Sequence, residues 1–211
     1  IDDLNYGEQR EEGVINSQGF FHPSLNFFFK LSDKFHFINY PDKIIGIAKD
    51  KSKIIFTIDE NYRQQTDFLN YLKKWSRSRK IFDVKEFEVN GLKASSALLI
   101  VNKKKIRLVI INKGETMYRF LLIPSKNEAF NDHDIEFYKI IKSFKMLSNT
   151  IASKITSNKI KIVTVRSNDT IASLLEKQSL QKLYGEKTFK IMNDLDKKLE
   201  VGQKVKLIVN D

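Results

Sequence analysis

The chain has 211 residues, of which 41% are hydrophobic and 30% charged, an ordinary composition for one or two globular domains. No apolar run approaches the ~18 residues that a membrane-spanning helix needs, and the sequence has no signal-peptide pattern. A formal net charge of +11 is typical of proteins that bind nucleic acid. However, residues 150–211 hold 12 basic and 7 acidic side chains and the preceding residues 25 and 19, and this even spread argues against nucleic acid. The absence of cysteine fits any redox compartment.

The first residues read as part of a longer protein. The chain opens on Ile1-Asp2-Asp3-Leu4 without a methionine, so we expect it to be the interior of a larger polypeptide. Residues 1–19 are polar and lack periodicity, which predicts an extended lead-in segment. Its paired carboxylates, Asp2/Asp3 and Glu11/Glu12, are expected to be solvated.

Residues 20–148 have the pattern of an α+β domain. Alternating apolar residues predict strands over 25–31, 44–48, 53–58, 81–89, 92–101, 106–111 and 116–123. Turns are expected at 33–35, 39–41, 49–52, 102–105 and 112–115, and Asn90-Gly91 is the strongest hairpin signal. Strands joined by such short turns pair antiparallel. The run Phe27-Phe28-Phe29 is expected to be core, although it could face a ligand.

Two segments of this domain change to helical period. Over 66–75 the apolar stripe is formed by Phe68, Leu72 and Trp75, with Leu69 beside it and Thr66 as the expected N-cap. A second helix is predicted over about 132–147, with one stripe of Ile135, Tyr138, Ile141 and Lys145 and a second of Phe137, Ile140, Phe144 and Leu147. Both helices should pack on the sheet, which makes an α+β sandwich. Residues 149–158, rich in Ser, Thr, Asn and Ala, predict a linker.

Residues 159–211 predict a small strand–helix–helix–strand unit. An alternating strand over 160–166 is followed by a turn at 167–170 and a helix with Ile171, Leu174 and Leu175 on one side. Either Asp169 or Thr170 can cap that helix. A second helix is expected over 186–192, with Phe189 and Ile191 as its apolar residues, and a last strand over 204–209 after a turn at Gly202.

This unit resembles a LysM domain, the module that binds N-acetylglucosamine-containing polymers. The matching marks are Val165-x-x-Asn168-Asp169-Thr170-Ile171, Asn193-x-Leu195 and Val201-Gly202-Gln203-x-Val205-x-Leu207. The resemblance implies a shallow groove that binds sugar acetamido groups largely through backbone groups. The implied glycan-binding residues are Ser167, Asn168, Asp169, Thr170, Ile171, Leu195, Asp196 and Lys197. Asn168 stands where the family usually has glycine, which narrows the groove. The alternative is that Asp169-Thr170 only cap the helix and the unit is a docking piece.

Nearly the whole chain, including its ending at 162–165 and 201–203, also resembles the region that follows the catalytic domain in bacterial periplasmic zinc-dependent proteases related to the HtpX peptidases. The resemblance rests on Tyr6-Gly7-x-x-x-x-Glu12-Gly13-Val14-Ile15, on Gly19-Phe20-Phe21-His22-Pro23 and on Phe35-x-Phe37-Ile38-Asn39-x-Pro41. It implies a periplasmic or cell-envelope location and zinc in a catalytic domain outside this chain. The order of strands and helices in 20–148 also resembles the PsbP/Mog1-like sandwich.

The sequence contains no H-E-x-x-H, the zinc-binding and general-base element of such proteases. His22, His36 and His133 lack a partner at that spacing, so we expect no catalytic residue, metal ligand or cofactor in this chain. A Ser-His-Asp constellation stays open, because triads are recognised by geometry.

The sequence therefore predicts a non-catalytic accessory region that positions a cell-envelope zinc metalloprotease. Its expected partner is peptidoglycan or the catalytic domain of the same protease. The alternatives are a basic protein that binds nucleic acid or an anionic surface, suggested by the charge, and an unrecognised hydrolase.

Overall fold

The computed structural model describes residues 4–5, 13–60, 67–76, 80–153, 159–178, 182–195 and 199–209. The chain forms two compact units. The inner unit is Phe29–Lys145, and the terminal unit combines Ile1–Phe28 with Met146–Asp211. The predicted boundaries divide the chain differently, because they join residues 20–28 to the sandwich rather than to the C-terminal part.

The secondary structure is mixed, and every strand pair of recorded register is antiparallel. The strands are β1 (Leu4–Asn5), β2 (Val14–Asn16), β3 (Gly19–His22), β4 (Phe27–Phe29), β5 (Phe35–Tyr40), β6 (Lys43–Ala48), β7 (Lys53–Asp59), β8 (Ile81–Val89), β9 (Leu92–Val101), β10 (Lys104–Lys113), β11 (Thr116–Ile123), β12 (Lys145–Met146), β13 (Lys159–Thr164) and β14 (Lys204–Val209). The helices are α1 (Phe68–Trp75), α2 (Phe130–Ser143), α3 (Asn149–Ala152), α4 (Ile171–Leu175) and α5 (Lys182–Met192).

The inner unit is built on one sheet. Among the described residues its strand order is β5-β6-β7-β11-β10-β9-β8. The predicted hairpins β6–β7, β8–β9, β9–β10 and β10–β11 are all present. Asn90 and Gly91 have φ values of 48° and 79°, as a two-residue hairpin turn requires. The α+β class with an antiparallel sheet is therefore confirmed.

The two helices of the inner unit cover opposite faces of this sheet. On one face Tyr71 and Leu72 of α1 pack with Leu108 of β10 in one apolar cluster. On the other face Arg107, the residue before Leu108, binds Asp134 of α2, with Nε–Oδ1 and Nη2–Oδ2 distances of 3.1 and 3.0 Å. Because consecutive strand residues point to opposite faces, the sheet lies between the helices.

Several local predictions for α1 and α2 were wrong. Leu69 and Ile135, both predicted on buried stripes, are 40% and 60% exposed. Asp67 caps α1 by accepting a hydrogen bond from the Asn70 amide, and the predicted cap Thr66 lies outside the described residues. Helix α2 ends at Ser143 rather than at 147, because Phe144 is extended and buried and its carbonyl accepts a hydrogen bond from Asn90 Nδ2 at 2.6 Å.

Strand predictions near the start of the inner unit also need correction. The strand predicted over 25–31 is reduced to β4, because Asn26 has a φ of 55° and interrupts it. Strand β5 includes Phe35, Asn39 and Tyr40, which were predicted to lie in turns, and Phe35 and Phe37 in it are buried. Phe29 is buried as expected, with its ring 5.0 Å from that of Phe56.

In the terminal unit, β3 lies between β2 and β4. Phe20, His22 and Phe27 form an aromatic cluster with ring centroids 5.2–6.2 Å apart. Gly13 has a φ of +85°, and a Cβ at this position would lie 2.3 Å from Cζ of Phe20. The glycine is therefore needed for the cluster to close.

The C-terminal part of this unit has the predicted strand–helix–helix–strand order of β13, α4, α5 and β14. Its core contains Val165, Leu174, Phe189, Val205 and Leu207. Ile191, predicted to be an apolar contact of the second helix, is 71% exposed. Strand β1, within the predicted lead-in, pairs with β13 and makes a third strand of this sheet.

His22 predicts a pH dependence of stability. Burial lowers the pKa of this imidazole to about 4, and Nδ1 accepts a hydrogen bond from the Leu25 amide at 3.3 Å. The unfolded chain takes up this proton near pH 6.5 and the folded chain does so only near pH 4. The free energy of unfolding should therefore fall by up to about 3 kcal/mol as pH drops from 6.5 to 4.

Denaturant unfolding at closely spaced pH values would test this linkage. His22→Gln, which keeps an acceptor, should flatten the curve over this window. Equal slopes for the wild type and His22→Gln would contradict the assignment.

Candidate functional site

The turn between β13 and α4 is held by side chains acting on the backbone. Thr170 caps α4, with Oγ1 accepting from the Ser173 amide at 3.1 Å while Ser173 Oγ accepts from the Thr170 amide at 2.9 Å. This is a reciprocal capping box. Asp169 accepts from the Arg166 amide at 2.8 Å and pairs with Lys177 at 3.2 Å. These two contacts hold the pKa of the Asp169 carboxyl below its usual value.

The predicted glycan-binding residues divide into surface and core positions. Ser167, Asn168 and Thr170 are exposed. Leu195 is buried in the core cluster, and Ile171 packs against the same cluster. Leu195 therefore supports the surface from below rather than lining it. Asp196 and Lys197 lie outside the described residues.

A second turn lies beside the first. The Gly202 amide donates to the Val165 carbonyl, and the Val165 amide donates to the Gln203 carbonyl, both at 2.8 Å. These bonds extend the β13–β14 ladder one residue beyond Thr164, so the turns at 166–170 and 200–203 meet at one end of this strand pair. Gly202 has a φ of +87°, which its lack of a side chain permits. Val201 is 70% exposed at this end.

Asn193 fixes the helix α5 to strand β14. Its Nδ2 donates to the carbonyls of Phe189 and Lys206, each at 2.9 Å, and its Oδ1 accepts from the Lys206 amide at 2.6 Å. The Asn193 side chain thus makes the two hydrogen bonds to the Lys206 backbone that a neighbouring strand would otherwise make. Sequence reasoning noted Asn193 as a family mark but gave it no role; its position directly after a helix was the available signal.

The inner unit does contain serine, histidine and aspartate together. Asp50 Oδ2 lies 2.9 Å from Ser52 Oγ, 3.1 Å from Ser125 Oγ and 3.0 Å from His133 Nε2. The carboxylate is at the centre, whereas a nucleophilic triad needs the histidine between the other two groups. Burial would raise the pKa of the Asp50 carboxyl, but its hydrogen bonds, including one from the Ser52 amide, together keep this pKa well below the usual range.

This cluster, named the Asp50 clasp, does not have the order of a nucleophilic triad. It joins the β6–β7 turn, the segment after β11 and the first turn of α2. The sequence pattern could not reveal it, because its four residues are separated by up to 83 positions.

Two general features bear on function. Over the residues that the structure describes, no three or more His, Cys, Asp or Glu side chains are grouped so as to hold a metal ion. In that same part of the chain, no helix has the length and apolarity needed to cross a membrane.

Comparison with known proteins finds no matching family model and no match among curated proteins. Three solved structures show weak similarity. The cyanobacterial PsbP protein CyanoP from Synechocystis sp. PCC 6803 is 8% identical with a TM-score of 0.46, covering 66% of this chain and 98% of that chain. PA94 from Pseudomonas aeruginosa is 9% identical with a TM-score of 0.37, covering 52% and 94%.

A protein from Bacteroides thetaiotaomicron VPI-5482 is 10% identical with a TM-score of 0.43, covering 91% of this chain and 65% of that chain. With TM-scores below 0.5, these likenesses establish neither the fold nor the function of this chain.

Asn193→Ala should destabilise the C-terminal part by about 2–3 kcal/mol, because it removes three hydrogen bonds and leaves the backbone of Lys206 without these partners. Hydrogen exchange of the full chain would report the loss as faster exchange of the Lys206 amide. Asn168→Ala, at an exposed position, is the matched control and should change stability by less than about 0.5 kcal/mol. Unchanged protection of Lys206 in Asn193→Ala would refute this role.

Proposed function

We propose that this chain is a non-catalytic accessory region of a bacterial cell-envelope zinc metalloprotease, and that its LysM-like C-terminal part binds N-acetylglucosamine-containing glycan. The observation that carries the proposal is the meeting of the turns at 166–170 and 200–203. These are the two turns between which a LysM-type groove would lie. The role of the region is then to hold the protease, with its own zinc site outside this chain, near peptidoglycan in the periplasm.

The chemistry of the two turns suits an acetamido sugar. Glycan recognition of this type uses backbone N–H and C=O groups, which need a rigid turn with little side-chain cover. Rigidity is supplied by the Thr170–Ser173 capping box and by Asp169 on the Arg166 amide. The exposed Val201 adds an apolar contact for a sugar ring or an acetyl methyl group.

Asn168 is the position that would limit affinity. Its side chain is exposed in the first turn, where the LysM family usually has glycine. A glycan approaching the backbone has to displace or avoid this side chain. We therefore expect a moderate affinity that increases when the side chain is removed.

For the sandwich, we propose a PsbP/Mog1-like arrangement that serves as a spacer between the catalytic domain and the glycan-binding part. The supporting observation is a single antiparallel sheet between α1 and α2. In the competing proposal, the LysM-like part docks on the catalytic domain and binds no glycan.

Co-sedimentation of the full chain with purified peptidoglycan sacculi tests glycan binding. We expect the chain to pellet and N-acetylglucosamine oligomers to release it. Asn168→Gly should strengthen binding, and Val201→Ser should weaken it about fivefold, in line with ~1 kcal/mol for a lost apolar contact. Val84→Ser, at a 39% exposed valine of β8, is the matched control and should have no effect.

Failure to pellet would favour the docking role. Pelleting that the sugar oligomers do not reduce and that disappears near ~200 mM salt would instead indicate non-specific binding through the +11 charge. Binding to DNA as strong as binding to sacculi would indicate the same.

A further inference from the structure

A row of aliphatic side chains crosses the face of the inner sheet that carries α1. In the strand pairings, Ile38 lies opposite Ile45, Ile45 lies opposite Ile55, and Ile55 lies opposite Leu121. The row continues from Leu121 to Leu108 and on to Ala97. It therefore runs across six neighbouring strands without a polar residue.

One end of this row is buried in the cluster that contains α1. Leu108 and Ala97 are both 0% exposed and belong to the cluster that contains Tyr71 and Leu72 of α1, and Leu121 packs against that cluster. Ile38, Ile45 and Ile55 remain partly exposed. Their chain neighbours Phe37, Ile44 and Phe56, on the opposite face, are buried.

The next row extends the partly exposed area. Ile47 faces Lys53, and Lys53 faces Ile123. Both isoleucines are partly exposed. Together the five residues define an outer isoleucine patch: Ile38, Ile45, Ile47, Ile55 and Ile123. A patch of aliphatic side chains on adjacent strands is the kind of surface that marks an interaction site, unlike isolated exposed residues.

The shape of the patch suits a helix. The same row already accepts the amphipathic helix α1 a few strands away. The three strands β5, β6 and β7, which lie beyond β11 and its contact with the α1 cluster, span roughly 14 Å at ~4.8 Å per strand. A helix with its side chains is ~10–12 Å wide, so one helix fits beside the area covered by α1.

The charge around the patch selects the partner. Lys49, Lys51 and Lys53, all exposed, lie at the β6–β7 end of the patch. The carboxylate between them, Asp50, is already bonded to Ser52, Ser125 and His133. A second copy of the chain would bring the same lysines together, and the whole chain carries +11. A partner with carboxylates beside its apolar stripe is complementary.

We propose that the outer isoleucine patch docks an amphipathic helix of a partner protein, with carboxylates flanking the apolar stripe of that helix. The patch is smaller than the ~800 Å² per partner of a standard stable interface, so this contact is reversible and of micromolar strength, or is reinforced by a second attachment. It is independent of glycan binding by the LysM-like part.

The test uses the full chain and two synthetic helical peptides with the same leucine stripe, one flanked by glutamate and one by lysine. Fluorescence anisotropy should give micromolar binding for the glutamate peptide and at least about tenfold weaker binding for the lysine peptide. Ile45→Thr/Ile55→Thr should weaken binding of the glutamate peptide about tenfold, and Ile38→Thr/Ile123→Thr should weaken it to the same extent. Thermal melts would verify that these variants fold.

Ile100→Thr, at a 43% exposed isoleucine of β9, is the matched control and should leave binding unchanged. Lys49→Gln/Lys51→Gln/Lys53→Gln should weaken binding and reduce its salt dependence.

The proposal is overturned if neither peptide binds, if both bind equally, or if the isoleucine variants have no effect. It is also overturned if the patch variants instead abolish binding to phosphatidylglycerol vesicles, which would make it a membrane surface. It is likewise overturned if sedimentation shows that the wild-type chain is a dimer and that Ile45→Thr/Ile55→Thr is a monomer, because the patch would then bind a second copy of the chain.

Discussion

The backbone ladder between β13 and β14 is the interaction on which the account of function depends. It runs from Lys159 to Thr164 in regular register and then continues through Val165 to Gly202 and Gln203. Without this extension the turns before α4 and before β14 would be separate loops. With it, they form one surface whose shape is set by backbone bonds. Gly202 makes the extension sterically possible, because a residue with a side chain is strained at a φ of +87°.

Most of the side chains described around the ladder bond to backbone groups, and Asp169 also pairs with the Lys177 side chain. Thr170 and Ser173 satisfy amides at the start of α4, Asp169 satisfies that of Arg166, and Asn193 completes the bonding of Lys206. A surface built in this way presents little of its own side-chain chemistry to a ligand. Backbone groups held in this way fit the glycan-binding role that we propose for this surface.

Sequence reasoning predicted elements whose signals are local and missed those set by distant contacts. Asn90-Gly91 predicted a hairpin, and Asp169-Thr170 predicted the N-cap of α4. Both features are present. The apolar period of α2 continued to 147, yet the helix stops early because Phe144 is buried and bonded to Asn90. Strand β5 was missed for a local reason, because Asn39-Tyr40-Pro41 was predicted to be a turn, whereas the turn lies at Pro41-Asp42 and β5 forms a hairpin with β6. The glycan-binding list was local as well, and it therefore included Leu195, which is a core residue. The Asp50 clasp lies beyond any local pattern.

The central claim is that the two adjoining turns bind an N-acetylglucosamine polymer. The most direct measurement is an NMR titration of the full, isotopically labelled chain with N-acetylglucosamine oligomers. The account predicts that amide shifts concentrate at 166–171 and 200–203 and leave the inner sheet unchanged. Saturation of those shifts would also give the affinity. If the oligomers leave both turns unchanged while the chain is folded, or shift the lysine-rich β6–β7 turn instead, the glycan-binding account is contradicted.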